Sequence, residues 1–389
     1  MLIFVALIAA VAGFLFGFDE GVISGAEIFL RKDFDYGATL EGVMTSAVPL
    51  GALFGAIVTG RLTERFGRRR ILMLAGLLFI GGALVSALTP GIWVLVLARL
   101  LLGLAIGIAA IVAPLYLSET APTHRRGVMI SAYQLLVTVG ILSAYLVNLA
   151  LAEWEAWRWM FAAGMVPAII LMLGAWRLPE SPRWLAANGA RDKAISVIGM
   201  VQPDLSRAEA VHIVDEIERS RDPSRAAPAW GTFLSPNVRP VVFFTIAAFI
   251  LQQVSGINAV IYYAPTIMSH AGFDGSATQL AATVGVGVVN VLMTVVAMLV
   301  VDSFGRRPLF ILGFLGSAVS LVVISYAMQA DRPDLAPVGL IGLFAYIAFF
   351  AVSLGPLPWL YMSELFPLAL RSRGMAMASV ANWAFNFAV

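Results

Sequence analysis

The chain has 389 residues, of which 60% are hydrophobic and only 12% charged, with a formal net charge of +2. Soluble domains carry about 25% charged residues and are less than half apolar, so this balance excludes a water-soluble globular protein and points to a lipid bilayer. The absence of cysteine excludes disulfides and thiolate metal sites, and so small a net charge says little about partners.

A membrane-spanning helix needs roughly 20 mainly apolar residues. Eleven such stretches are predicted, at 1–29, 42–60, 71–88, 91–117, 128–151, 157–177, 239–268, 277–301, 308–329, 337–362 and 374–389. The first contains Ala10-Val11-Ala12, a triplet of the kind found at leader cleavage sites. No basic residue precedes it and the apolar run continues far beyond it, so it reads as a span. His124, His212 and His270 lie far apart and read as solvated side chains, with no metal site among them.

Basic residues fix an orientation. Arg61, Arg65, Arg68, Arg69 and Arg70 follow span two, Arg125 and Arg126 span four, Arg306 and Arg307 span eight, Arg371 and Arg373 span ten. The opposite side holds Arg31, Lys32, Arg158 and Arg332. By the positive-inside rule the richer side, with the N-terminus and the polar segment 178–238, is cytoplasmic. Arg99 is the exception, alone within span four. A mid-membrane arginine costs roughly 3 kcal/mol and needs a partner facing protein or water. Asp19, in Gly17-Phe18-Asp19-Glu20-Gly21 of span one, is the natural one, either as a fixed structural pair or as a working one. Glu20 and Glu27, seven residues apart, are expected to share a face towards the outer end, within reach of water.

The chain repeats itself. Gly60-Arg61-Leu62-Thr63-Glu64-Arg65-Phe66-Gly67-Arg68-Arg69 has a shorter echo in Asp302-Ser303-Phe304-Gly305-Arg306-Arg307. Glu119 follows Gly67 by 52 residues and Glu364 follows Gly305 by 59, and an Arg-Gly pair closes each series at 126–127 and 373–374. Two such series in the same order imply duplication of a six-span unit. The expected division is an N-terminal bundle at 1–177, a cytoplasmic linker at 178–238 and an incomplete C-terminal bundle at 239–389. Within the linker Ser181-Pro182 starts a short helix and Asn188-Gly189 stops it. Ser206-Arg207-Ala208-Glu209 is a capping box opening a helix with Ala210, Val211, Val214 and Ile217 on one face. That helix is expected beneath the bundle, and 222–228 reads as linker.

These motifs resemble the sugar porter family of the major facilitator superfamily. The loop 60–69 is similar to the superfamily signature, with Glu64 where aspartate is usual. Closer matches are Pro179-Glu180-Ser181-Pro182-Arg183-Trp184-Leu185, Gln252-Gln253-Val254-Ser255-Gly256-Ile257-Asn258, Tyr262-Tyr263-Ala264-Pro265 and Gly355-Pro356-Leu357-Pro358-Trp359. The resemblance implies an all-α membrane protein of two six-helix bundles. Of the twelve spans expected, the chain stops inside the eleventh.

It also implies a sugar site between the halves, with Gln134, Gln252, Gln253, Asn258, Asn290 and Trp359 as contacts and Asn382 and Trp383 as further pocket positions. The chemistry suits this. A neutral sugar's hydroxyls both donate and accept, as an amide does without charge, and an indole can stack on the ring. Tyr262 and Tyr263 resemble an outer gate. Symporters of the family carry aspartate at the position of Asp19, where passive animal glucose facilitators carry asparagine, and Arg99 matches the family's span-four arginine. Burial disfavours a carboxylate while a guanidinium favours it, so a changing separation would load and release a proton. One proton crossing 100 mV supplies about 2.3 kcal/mol, roughly fiftyfold accumulation. The resemblance further implies a cytoplasmic charge network in which Glu64, Glu119, Glu180 and Glu364 meet Arg65, Arg126, Arg183, Arg306 and Arg373, with simple topogenic charge as the alternative, above all for Arg68 to Arg70.

The expected function is import of a neutral monosaccharide (hexose, pentose or polyol) by proton symport, by a monomer in the cell membrane that needs no cofactor. A facilitative sugar uniporter or a sugar sensor on the same fold are the alternatives. An enzyme is not indicated, since neither a phosphate-cradling Gly-x-x-x-x-Gly-Lys run nor a nucleophile with a base is present. Nothing suggests nucleic acid.

Overall fold

The computed structural model describes residues 1–122, 126–220, 230–329, 335–366 and 370–389. The first half is built from α1 (Leu2–Phe34), α2 (Ala38–Phe66), α3 (Arg68–Ala87), α4 (Ile92–Thr120), α5 (Arg126–Leu151) and a sixth span divided at Gly164 into α6 (Trp157–Ala163) and α7 (Met165–Arg177). Three short helices follow, α8 (Pro182–Ala187), α9 (Arg191–Val201) and α10 (Arg207–Ser220). The second half has a seventh span in three pieces, α11 (Arg239–Val254), α12 (Ile257–Tyr262) and α13 (Ala264–His270). Then come α14 (Ser276–Phe304), α15 (Arg306–Gln329) and α16 (Ala336–Phe349), a π-helical turn at Phe350–Leu354, α17 (Leu357–Leu365) and α18 (Arg371–Ala388).

Ten helical stretches among the described residues are long and apolar enough to cross a membrane. The eleventh predicted stretch lies in α18, whose Arg371, Arg373, Asn382 and Asn386 leave it less apolar than those ten. The helices overrun the predicted bounds. α2 continues through 29 residues to Phe66, roughly 44 Å at 1.5 Å per residue. The signature loop is therefore mostly the last turns of α2, because nothing stops the helix before Gly67. That residue takes φ +87°, and Gly305 takes φ +82° at the matching turn between α14 and α15. The duplicated motif is thus a duplicated bend.

α1 packs along α5, α2 along α4, and α3 between α4 and α7. The contact of α1 with α5 is backbone to backbone: a Cβ added at Gly17 would lie 1.8 Å from the Val137 carbonyl oxygen, and one at Gly140 2.2 Å from that of Phe14. Small residues let helices approach so closely in lipid, where van der Waals contact replaces the hydrophobic drive. In the second half α15 lies on α16 and α11 on α18. The halves meet where α5 touches α14, α2 touches α18 and α1 touches α12.

In the linker both helix starts expected from the sequence are formed. Ser181 Oγ accepts the Trp184 N–H at 3.3 Å, and Gly189 closes the helix at φ +76°. In the capping box the Ser206 N–H donates to Glu209 at 2.7 Å and the Glu209 N–H to Ser206 Oγ at 3.3 Å. Ala210 and Val214 are buried against α8 and α9, and Leu2 at the start of α1 packs on the same cluster. The stretch 222–228 lies outside the described residues.

Candidate transport site

Three faces of α1 do three things. Gly13, Gly17 and Gly21 press on α5. Asp19 turns towards α4, where its Oδ2 stands 3.7 Å from Arg99 Nη2, and both side chains are sealed from solvent. The Arg99 Nε–H also donates to the Met44 carbonyl at 3.2 Å, tying α4 to α2. Phe16 and Glu20, one turn apart, face a central cavity between the halves.

That cavity is lined by Gln134, Gln252, Gln253, Asn258, Asn290, Trp359 and Asn382, which gathers seven of the eight sequence-predicted contacts. The break in span seven arranges three of them. Gly256 takes φ +80°, a left-handed conformation that costs little only without a Cβ. The turn brings the Asn258 amide to donate to Gln253 Oε1 at 2.8 Å. Gln253 in turn donates to Asn382 Oδ1 at 2.7 Å, linking α12, α11 and α18. Gln252 donates to the Leu354 carbonyl at 2.6 Å, an acceptor beside the π-helical turn of span ten. Amides held in such a chain present fixed donors and acceptors to the cavity.

Trp383 is the exception. It is 1% exposed and packs edge-on behind Phe16 at 5.3 Å, outside the lining. Phe16, Thr138, Thr294 and Asn386 line the cavity and were not singled out in the sequence. Asn386, four residues beyond Asn382 on one helix face, was findable by spacing alone.

The expectation for Glu20 and Glu27 is corrected. Neither is open to water: Glu20 is 3% exposed and lines the cavity, while Glu27 is 5% exposed. Glu27 accepts from Arg31 at 3.0 Å, and Arg31 also pairs with Glu41 of α2. Tyr262 and Tyr263 line a second cavity that shares Gln253, Asn258 and Asn386 with the first. Tyr262 is buried there against Phe18 and Val22 of α1.

At the bridge end, Glu119 pairs with Arg68 at 2.7 Å and accepts from Ser181 Oγ at 2.5 Å. Glu180 accepts the backbone N–H groups of Arg68 (2.8 Å), Arg69 (3.2 Å) and Ser181 (2.9 Å). It caps the start of α3, where a carboxylate meets unsatisfied donors and the positive end of the helix dipole. Arg306 pairs with Glu364 in the second half. Arg68, where the sequence also allows topogenic charge alone, is the cation that meets Glu119. Arg65 is exposed and lies over the Phe66 ring at 5.2 Å, away from Glu119. Glu64 and Arg183 are exposed too, and Glu64 contributes its carbonyl, which accepts from Trp184 Nε1 at 2.9 Å. The side chain of Arg126 lies outside the described residues, and Arg373 sits partly buried in the first turn of α18.

No group of His, Cys, Asp or Glu among the described residues could hold a metal ion. The chemistry on offer is hydrogen bonding from neutral amides beside a buried acid–base pair.

The family model for "Sugar (and other) transporter" matches residues 5–389. The D-xylose transporter of Levilactobacillus brevis is 39% identical over 390 residues, 99% of this chain and 84% of that protein. The galactose-proton symporter of Escherichia coli K12 is 40% identical over 392 residues, 100% of this chain and 84% of that one. The structure of the proton:xylose symporter XylE bound to 6-bromo-6-deoxy-D-glucose superimposes with a TM-score of 0.86 at 32% identity, covering 99% of this chain and 86% of its own. Shared motifs, fold and family match agree: the chain belongs to the sugar transporter family of the major facilitator superfamily.

Proposed function

We propose that this protein imports a neutral monosaccharide by proton symport, binding it in the central cavity and exposing it to each side of a cell membrane in turn. One observation carries the reading: Asp19 of α1, sealed at 3.7 Å from Arg99 of α4, is one residue along the chain from Glu20 in the wall of an amide-lined cavity. An ion pair this deep is expensive to keep dry, and an arrangement that changes its separation converts that expense into proton affinity. The amides of Gln134, Gln252, Gln253, Asn258, Asn290 and Asn382 supply the donors and acceptors a sugar needs, and Trp359 supplies a stacking face. The ties at Arg68–Glu119 and Arg306–Glu364 hold the cytoplasmic ends of each half, with the N-terminus and linker on that side. The relatives named for xylose–proton and galactose–proton symport support the same reading.

The test is purified protein in proteoliposomes with a sugar panel. Counterflow of at least one monosaccharide, accumulation driven by an inward pH gradient, and alkalinisation of the medium on adding that sugar are expected. Counterflow without any proton movement would leave a passive uniporter.

A further inference from the structure

Glu20 is left over from that mechanism. It is 3% exposed and lines the central cavity, one turn above Phe16 on the same face of α1. No ion pair or hydrogen bond engages its carboxyl among the described residues, and its neighbour in the chain, Asp19, is of like charge. Arg99 is committed to Asp19 and the Met44 carbonyl. Among the described residues no Lys, Arg or His lines the cavity, and its other polar walls are amides, hydroxyls and the Trp359 indole. Packing does not explain a glutamate here either, because the face of α1 pressed on α5 is the glycine stripe at 13, 17 and 21.

An amide both donates and accepts, whereas a carboxylate only accepts, through two oxygens. Buried without a partner, it is costly until something donates to it. Two adjacent sugar hydroxyls, or a hydroxyl beside an amino group, offer matching donors. We propose that Glu20 is a substrate-contacting, specificity-setting residue that admits sugars presenting adjacent hydrogen-bond donors towards α1. Sugars lacking one of those donors are discriminated against. The assignment rests on the sugar-transport reading above and narrows it to a substrate class.

The experiment is counterflow with the parent sugar and its deoxy, fluoro and amino analogues at each ring position, for wild type and Glu20→Gln. In wild type, at one ring position at least, the deoxy and fluoro analogues should lose tenfold or more in kcat/KM while the amino analogue is accepted. A hydrogen bond to a charged group is strong enough for that ratio. Glu20→Gln, able to donate as well as accept, should shrink that discrimination below about threefold and leave the other positions unchanged. Should Glu20→Gln not fold, the wild-type panel still decides: no position that rejects deoxy and fluoro yet accepts amino overturns the proposal. A loss in Glu20→Gln spread evenly over all positions overturns it as a structural effect. Unchanged selectivity with loss of sugar-driven proton movement overturns it too, making the carboxyl a proton carrier. Wild-type counterflow of no sugar at all would instead sink the transport reading itself.

Discussion

Arg68 meets Glu119 at 2.7 Å with 13% and 6% of their side chains exposed, and the pair fastens the first turn of α3 to the end of α4. Its counterpart in the second half, Arg306 with Glu364, is 37% and 36% exposed. The difference comes from the linker, since Ser181 donates to Glu119 and Glu180 caps α3. A double-mutant cycle in detergent thermal unfolding should therefore give a coupling of about 1–3 kcal/mol for Arg68 with Glu119. The same cycle for Arg306 with Glu364 should give less than about 1 kcal/mol, because solvent screens the exposed pair. Equal couplings would mean that the linker contributes nothing to the first.

The linker helices pack on an apolar cluster and carry charge pairs at their surface. Arg191 pairs with Asp215 and Glu218, bridging α9 to α10. The hydrogen bond from Arg191 holds the Asp215 carboxyl below its usual 3.8, and Ser206 holds Glu209 below its usual 4.5. A depressed folded-state pKa stabilises fully above the unfolded value and loses that contribution as pH falls through the folded one. Hydrogen exchange in α8–α10, corrected for the intrinsic rate, should be flat from pH 8 to about 5 and rise only in stronger acid. Arg191→Ala should raise the exchange across the whole neutral range.

Gly256 is a place where backbone conformation alone matters: a Cβ there meets no atom within 4 Å, yet φ is +80°. Gly256→Ala thus introduces strain without a clash, about 1–2 kcal/mol for a left-handed residue with a side chain. The break would relax towards helix and carry Asn258 away from Gln253. A fall in sugar affinity larger than the fall in thermal stability is the expected result, read from equilibrium binding and unfolding on one preparation.

Much of this is legible in the sequence. Span positions follow from apolar length, and Asp19 with Arg99 from the scarcity of charge inside spans, because each intramembrane ion must find a partner. The amides of span seven stood out beside a helix-breaking glycine. What escaped was direction. α1 is apolar all round, and such a helix carries no sequence stripe to say which face looks where. Glu20 therefore read as an outer, wetted residue, although it stands at the cavity. Trp383, expected in the pocket, lies behind Phe16, because it stands next to Asn382 on α18 and successive helical residues point in different directions. Arg65 and Arg68 flank a left-handed glycine, so which of them turns back towards Glu119 is decided by the bend at Gly67 and by nothing in the spacing.

The acid–base pair makes the sharpest prediction. Asp19→Asn keeps the shape of the side chain and removes its charge, so the cavity amides stay in place and counterflow, which needs no net proton movement, should persist. Uphill accumulation under a pH gradient should vanish, along with sugar-driven alkalinisation. The substitution also strands Arg99 as a buried guanidinium whose nearest acceptor is the Met44 carbonyl. Removing one partner of a buried pair costs about 3–5 kcal/mol, so thermal stability should fall. Neutralising both groups together, as Asp19→Asn with Arg99→Gln, should restore part of that loss without restoring accumulation. A protein that still concentrated sugar with Asp19→Asn would place the coupling proton elsewhere.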